Sequence, residues 1–555
     1  MVILIFDAQA IYMRNLISIL FLIASFIALD AQSYSKIDSI RGSITPERAW
    51  WDLTHYHLKI AVDTETKFFK GSNEISYTVL EENDVLQIDL QSPLKITSVV
   101  QNGQELKYST IGDSHHFIKL TKKGVLGNKD KITVFYEGIP HEAIRAPWDG
   151  GISWKTDTNG NPFVASSCQG IGASIWWPCK DHMYDEVESM DISITTPKGL
   201  MNVSNGRLIS IDSSEESVNT YHWQVKNPIN NYGVNLSIGD YVHFNEVYEG
   251  EAGALDCDYF VLRDNLEKAK VQFKQVPQLL EAFEHWFGPY PFYEDGFKLI
   301  EVPYLGMEHQ SAVTYGNGYK NGYRGTDLSD TGWGMKFDYI IIHEAGHEWF
   351  ANNITYQDIA DMWIHESFTT YSESLFIEYF HGTDAGAEYI RGMRRLINND
   401  GPIIASYGVN AKGSGDMYFK GSNIIHTLRQ VVSDDTKWRE LLRGLNKKFY
   451  HQTITSKEFE RYISEVLAMD LAPFFNQYLR TNNRPTLEYY YTNGNLRYRW
   501  NSVVDGFNMP IKVIINDASH LIEPVQTWRE LELDNIPISI TIDVNYYVVG
   551  SEIIH

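Results

Sequence analysis

The chain has 555 residues, too many for one hydrophobic core, and a formal net charge of −24. With 43% hydrophobic and 13% aromatic residues, its composition is that of an ordinary folded protein of about three domains. The acidic balance excludes nucleic-acid binding, which needs a basic footprint, disfavours anionic membrane surfaces, and mildly favours substrates carrying a positive amine.

At the start, Met13-Arg14-Asn15 precedes an apolar run from Leu16 to Leu29, and Ala31 offers a small residue for cleavage. A basic segment, an apolar segment and a small cleavage residue read as an export signal over residues 1–31, with 1–12 an unused upstream start. The apolar run is shorter than the roughly 20 residues that span a bilayer, so no stable membrane span is expected after cleavage. No cysteine follows it to carry a lipid anchor. The expected location is outside the cytoplasm, periplasmic or extracellular. Only Cys168, Cys179 and Cys257 occur. So few, and an odd number, do not make a disulfide framework; a Cys168–Cys179 pair is the alternative, and buried free thiols are the expectation.

From about 50 to 245 the chain alternates in period two. Leu58, Ile60 and Val62 point one way against Lys59, Ala61 and Asp63; Leu86, Ile88 and Leu90 repeat the pattern, as do Ile132 and Val134. Turn signals at Asn102-Gly103 and Asn205-Gly206 punctuate it, so residues 32–245 read as a large antiparallel β domain. The character then changes. Helical spacing runs from Leu266 to Phe287, interrupted at Pro277, then from Lys336 to Phe350, Met362 to Tyr379, Ser422 to Val432 and Lys457 to Leu479. This makes residues 246–482 a mainly helical domain. After the polar linker Arg480 to Pro485, alternation returns: Leu496, Tyr498 and Trp500 interleave with arginines, and Ile538, Ile540, Ile542 and Val544 form a second stripe. Residues 483–555 read as a small C-terminal β-sandwich.

The chemistry lies in the helical domain. His343-Glu344-Ala345-Gly346-His347 places two histidines four apart on one helix face, and Glu366 stands on the next predicted helix. Glu344 lies about 100° round the helix from His343, so it reaches a water beside the ion rather than the ion itself. Structural zinc sites use four protein ligands, whereas catalytic ones use three and leave a position open. Three ligands and a base point to hydrolysis, with one Zn2+ per chain held by His343, His347 and Glu366, and with Glu344 taking a proton from water.

At these residues the chain resembles the zinc aminopeptidases of the aminopeptidase N and leukotriene hydrolase group, within the gluzincins. The resemblance covers nearly all of the chain beyond the signal. The downstream segment Trp363-Ile364-His365-Glu366-Ser367-Phe368 is similar to that family's Trp-Leu-Asn-Glu-Gly-Phe, with His365 for Asn and Ser367 for Gly. Leu305-Gly306-Met307-Glu308-His309 resembles its Gly-Ala-Met-Glu-Asn motif, with His309 for Asn. The resemblance implies that Glu308 holds the substrate's free α-amine, with Gly306 and Met307 in the substrate-binding segment. Tyr418-Phe419-Lys420-Gly421 resembles Tyr-Glu-Lys-Gly, whose tyrosine stabilises the oxyanion, a role carried over to Tyr418. Cys168-Gln169-Gly170, upstream of Trp176-Trp177-Pro178, resembles the segment that lends a glutamine to the amine site, here Gln169.

What the resemblance implies is a multidomain α+β fold: a saddle-like antiparallel β domain, a thermolysin-like helical catalytic domain and a small β-sandwich. It implies an aminopeptidase acting on peptides with a free N-terminus, and the signal at residues 1–31 makes it an exported one. A zinc endopeptidase with the same metal site and a non-catalytic peptide-binding protein are the alternatives. Larger relatives carry a long C-terminal helical domain that encloses the site. This chain reads as a short form without it, so a more open site accepting longer peptides is expected.

Overall fold

The alternation beginning at Trp51 builds an eight-stranded sheet. Its central strand Trp51–Asp63 pairs antiparallel with Phe68–Val79 on one side and parallel with Ser189–Pro197 on the other. Leu58, Ile60 and Val62 are buried while Lys59, Ala61 and Asp63 face solvent, as period two requires. The structure is a computed structural model that describes residues 34–533, 537 and 539–553. The export signal at 1–31, its upstream start, Ile538 and His555 lie outside the described residues. A four-stranded and a three-stranded sheet pack with the large one around a single core containing Trp176, Trp177 and Ile192. The domain is thus antiparallel apart from that strand pair and an isolated parallel bridge between Glu142 and Ile152. All three cysteines are free and buried.

The break into the second domain falls earlier than expected. Tyr241–Gly250 and Gly253–Leu262 form a hairpin that belongs to a five-stranded sheet with Phe297–Glu301, Val313–Tyr315 and Gly306–Met307. A boundary at 245/246 therefore cuts through a strand. Alternation continues across the junction, which hides the change of sheet. The two-residue strand Gly306–Met307 is the outer edge of this sheet, antiparallel to Val313–Tyr315.

The helices differ from the sequence pattern at their ends, each for a local reason. Leu266–Gln272 and Gln275–Phe287 are separate, and the break is at Phe273-Lys274, not Pro277. Pro277 sits in the first turn, where its missing N–H costs nothing. The first zinc-motif helix is Tyr339–Gly346 rather than 336–350. Asp338 caps it, accepting from the backbone N–H groups of Ile340 and Ile341. Beyond His347 the chain opens into a wider turn, with Phe350 at φ −127°, ψ 79°. The second helix, Trp363–His381, stops at Gly382, whose φ is 92°. Ser456–Leu467 and Ala472–Arg480 are two helices parted by Ala468 in the left-handed region, φ 54°. Helices Thr383–Gly392 and Asp435–Lys448 went unread in the sequence. Among the described residues no helix is long and apolar enough to cross a membrane.

The C-terminal strands form a four-stranded sheet around Thr486–Thr492 and Asn495–Asn501 and a three-stranded sheet around Ile511–Ile515. Leu496, Tyr498 and Trp500 are buried between them. Arg391 and Arg394 tie this sandwich to the helical domain through Asn545 Oδ1 (2.6 Å) and Val544 O (2.7 Å).

One buried ion cluster fastens the N-terminal helices Lys36–Gly42 and Pro46–Ala49 to the first domain. Arg48, fully buried, donates to Asp89 Oδ2 (2.5 Å) and to the carbonyls of Ile40, Arg41 and Ser43. His115 Nδ1 lies 2.7 Å from the other Asp89 oxygen. Burial pushes the Asp89 carboxyl up, but Arg48 and His115 outweigh it and hold the group well below the usual range. A depressed carboxylate contributes stability above its unfolded value, and that contribution is lost as the pH falls below about 4. Arg48→Met strands Asp89 and should lower unfolding stability by about 3–5 kcal/mol at pH 7. Urea denaturation followed by tryptophan fluorescence measures this. The deficit should shrink below pH 4, and a pH-independent loss under about 1 kcal/mol would contradict the assignment.

Candidate active site

The wide turn after the first zinc-motif helix has a direct consequence for its histidines. Phe350, released from helical geometry, turns its carbonyl to accept from His347 Nδ1 at 3.0 Å, with Thr369 Oγ1 at 3.0 Å from the same nitrogen. His343 Nδ1 lies 2.7 Å from Glu373 Oε1, and Glu373 Oε2 accepts from Tyr389 OH at 2.6 Å. With both Nδ1 atoms engaged as donors, each Nε2 is left with a lone pair. Those two atoms converge on Glu366 Oε2, at 3.8 Å from His343 and 3.4 Å from His347.

These three residues fit a zinc ion. Their ligand atoms lie within 4.8 Å of one another, and all three side chains are buried. Glu366 Oε2 is buried without a hydrogen-bond partner, a costly state that a cation removes. Two imidazoles, one carboxylate and an open side is the donor set of a catalytic zinc.

Glu344 stands beside this trio, 8% exposed, and burial pushes its carboxyl up to about 7. It lies against the edge strand. A Cβ added at Gly306 would come within 3.1 Å of Glu344 Oε1 and 2.6 Å of Ile340 Cγ2, so without glycine the Ile340 and Glu344 side chains would have to shift. Two residues further along, Glu308 is buried, and its Oε1 accepts from Gln169 Nε2 at 2.5 Å. The same nitrogen donates to Glu366 Oε1 at 2.9 Å. Gln169 thus reaches from the first domain to bridge two carboxylates of the second. Tyr418 is half-buried, its ring nearly parallel to His343 at 6.3 Å between centroids. Burial, with Glu366 and Glu308 nearby, pushes its phenol well above 10 and keeps it a donor. Gln169, Gly306, Met307, Glu308, His343, Glu344, His347, Glu366 and Tyr418 all line one cleft of about 480 Å³. Every site residue expected from sequence meets there.

His365 and His309, which replace asparagines in the family pattern, take structural posts. His365 is fully buried, stacks on Tyr356 at 4.2 Å, and its Nε2 accepts the Tyr356 N–H at 3.0 Å. Burial holds its pKa well below 6.5, so it is neutral and an acceptor. His309 is buried beside Thr314 (3.5 Å), and burial holds its pKa near 3. The carbonyl of Glu308 is held by Asn352 Nδ2 at 3.0 Å.

Sequence reasoning missed Glu373, Thr369, Tyr389 and Asn352. Glu373 carried a signal, because it lies two turns beyond Glu366 on the same helix face. The others come from the unread helix at 383–392, the wide turn and a mid-helix threonine, none of which carries a local pattern.

Residues 53–232 match the Peptidase M1 N-terminal domain, and residues 271–478 match the Peptidase family M1 domain. The chain belongs to peptidase family M1. It is 21% identical to the leukotriene A-4 hydrolase of Xenopus laevis over 447 residues, covering 76% of this chain and 68% of that protein. It is 22% identical to the leucyl aminopeptidase of Saccharolobus solfataricus over 447 residues, covering 78% of this chain and 54% of that one. Against several of its relatives the M1 chain spans only about half their length. Its fold is that of an M1 zinc metallopeptidase from Deinococcus radiodurans, solved with a Tyr-Ser-Ala substrate, at a TM-score of 0.67 and 18% identity. The match covers 80% of this chain and 98% of that one. Family and neighbours alike indicate a catalytic zinc, which the buried trio suits.

The Glu373 contact to His343 can be tested apart from catalysis. Glu373→Ala should weaken zinc binding about 10–100-fold, because the imidazole loses its orienting partner. Competition with a fluorescent chelator reads this directly, and an unchanged affinity would remove Glu373 from the metal's support.

Proposed function

We propose that this M1 enzyme is an exported zinc-dependent aminopeptidase, removing single residues from the amino end of peptides. The observation that carries the reading is the bridge from Gln169 to Glu308 and Glu366, at 2.5 and 2.9 Å, directly beside the zinc trio. Two buried carboxylates converging on one donor group make a receptor for an ammonium. Its three N–H donors satisfy both acids, and the amide oxygen of Gln169 supplies a further acceptor. An endopeptidase has no use for that arrangement, because an internal peptide N–H carries no charge. A non-catalytic peptide binder would have no need of a buried base at Glu344 or a donor at Tyr418.

His343, His347 and Glu366 are the zinc ligands in this reading. When bound, zinc polarises the scissile carbonyl and makes water acidic enough to attack near neutral pH. Glu308, Gln169 and Glu366 hold the amine and so fix which peptide bond lies next to Glu344. Glu344 accepts the proton of the attacking water and delivers it to the leaving nitrogen. Tyr418 donates its hydroxyl proton in a hydrogen bond to the oxygen that becomes negative. Gly306, by having no side chain, leaves Glu344 room beside the edge strand, and Met307 forms part of the wall against the first residue.

Export rests on the basic segment Met13-Arg14-Asn15, the apolar run to Leu29 and the small residue Ala31. A free thiol at each of three buried cysteines suits either side of the membrane.

Glu344→Gln keeps the shape but removes the base. Turnover of aminoacyl fluorogenic substrates should fall by about 100-fold or more, with one zinc per chain still found by metal analysis. A metal-loaded variant that kept wild-type turnover would contradict the mechanism.

A further inference from the structure

The cleft is lined by three carboxylates, Glu308, Glu344 and Glu366, each with an assigned task. Apart from the two histidine ligands, Lys412 is its one cationic lining residue. Lys412 is exposed and, among the described residues, makes neither a hydrogen bond nor an ion pair, in a chain where acids outnumber bases 71 to 47. An idle ammonium in so acidic a cleft has no structural duty.

Its backbone, by contrast, is fixed on both sides. Two residues before it, Asn410 Nδ2 donates to Gly170 O at 3.1 Å, next to the amine-binding Gln169. Val409-Asn410 is backed by the N-terminal helix so tightly that a Cβ on Gly42 would lie 2.1 Å from the Val409 carbonyl carbon. One residue after it, Gly413 passes so close to Ile403 that a Cβ would lie 1.6 Å from the Ile403 oxygen. Ser414 N donates to Pro402 O at 3.0 Å, and Tyr418 follows on the same segment. The segment therefore presents Lys412 from a fixed backbone, on the stretch of chain that runs from the Asn410–Gly170 contact to Tyr418.

We propose that Lys412 is a specificity-determining residue that receives a carboxylate of the peptide substrate. The inference rests on the aminopeptidase reading and extends it to the class of peptide preferred. Two groups carry the required chemistry: an acidic side chain on the first residue, and the C-terminal carboxylate of a peptide short enough to lie within the cleft. The nearness of Asn410 to Gly170 favours the first. Leu305, Leu328, Leu396 and Phe419 line the same cleft and offer a carboxylate no competing cation.

The test uses the full chain and matched substrates. One arm compares peptides beginning with Glu against the same peptides beginning with Gln; the other compares tripeptide free acids with their C-terminal amides. In the wild type one of these kcat/KM ratios should exceed unity and decline with added salt. Lys412→Gln should reduce that ratio about 10-fold, the scale of a charge-assisted hydrogen bond at a half-open site. Lys412→Arg should retain most of it, and Lys412→Glu should invert it. The arm that moves identifies the carboxylate. If both ratios stay put in Lys412→Gln and Lys412→Glu while neutral aminoacyl substrates are still cleaved, Lys412 is only a solvated surface charge and the proposal falls. A wild-type enzyme that cleaves no aminoacyl substrate would overturn the aminopeptidase reading, and this proposal with it.

Discussion

Three carboxylates share one buried cleft: Glu308, Glu344 and Glu366 are 3, 8 and 1% exposed. Gathering like charges out of water is among the most expensive arrangements a fold can hold, and it persists only where cations answer it. The two cations of the proposed reaction do so in turn, zinc against Glu366 and the histidines, and the substrate's ammonium against Glu308 and Glu366. Much of the surrounding structure serves to keep these groups from relaxing. Glu373 and Tyr389 brace His343, the opened turn at Phe350 braces His347, and Asn352 holds the backbone carbonyl of Glu308.

This constraint also explains why the domains must act together. In the proposed reaction the helical domain supplies the metal trio, the base and the oxyanion donor, yet the group that bridges Glu308 to Glu366 comes from a loop of the β domain. A metal and a base suffice to activate water. In the proposed reaction, what turns that hydrolytic centre towards the end of a peptide is a glutamine lying 139 residues from Glu308 in the chain.

Much of this was legible in sequence, unevenly. Residues four apart on a helix form a local pattern, so His343, Glu344 and His347 could be read from spacing alone. The period-two stripes were equally plain, and Leu58, Ile60 and Val62 are buried as read. Glu308, Tyr418 and Gln169 were reached only through resemblance, because their meeting depends on tertiary structure that no spacing encodes. Helix ends were the weakest readings. The turn at Phe350 bends to serve His347 against its local propensity, and the junction near Tyr241 was masked because alternation looks the same in two successive sheets. The orienting residues Glu373, Thr369 and Tyr389 act on other side chains, and such support leaves little trace in a single sequence.

The central claim is that the site measures its substrate from a charged amino end. The most direct measurement compares kcat/KM for a peptide with its free N-terminus and for the same peptide N-acetylated, using zinc-loaded enzyme. Acetylation removes the ammonium and leaves every other contact, so the free peptide should be favoured by about 100-fold or more, with product analysis showing release of the first residue alone. Equal turnover of the two, with cleavage at internal bonds, would contradict the account.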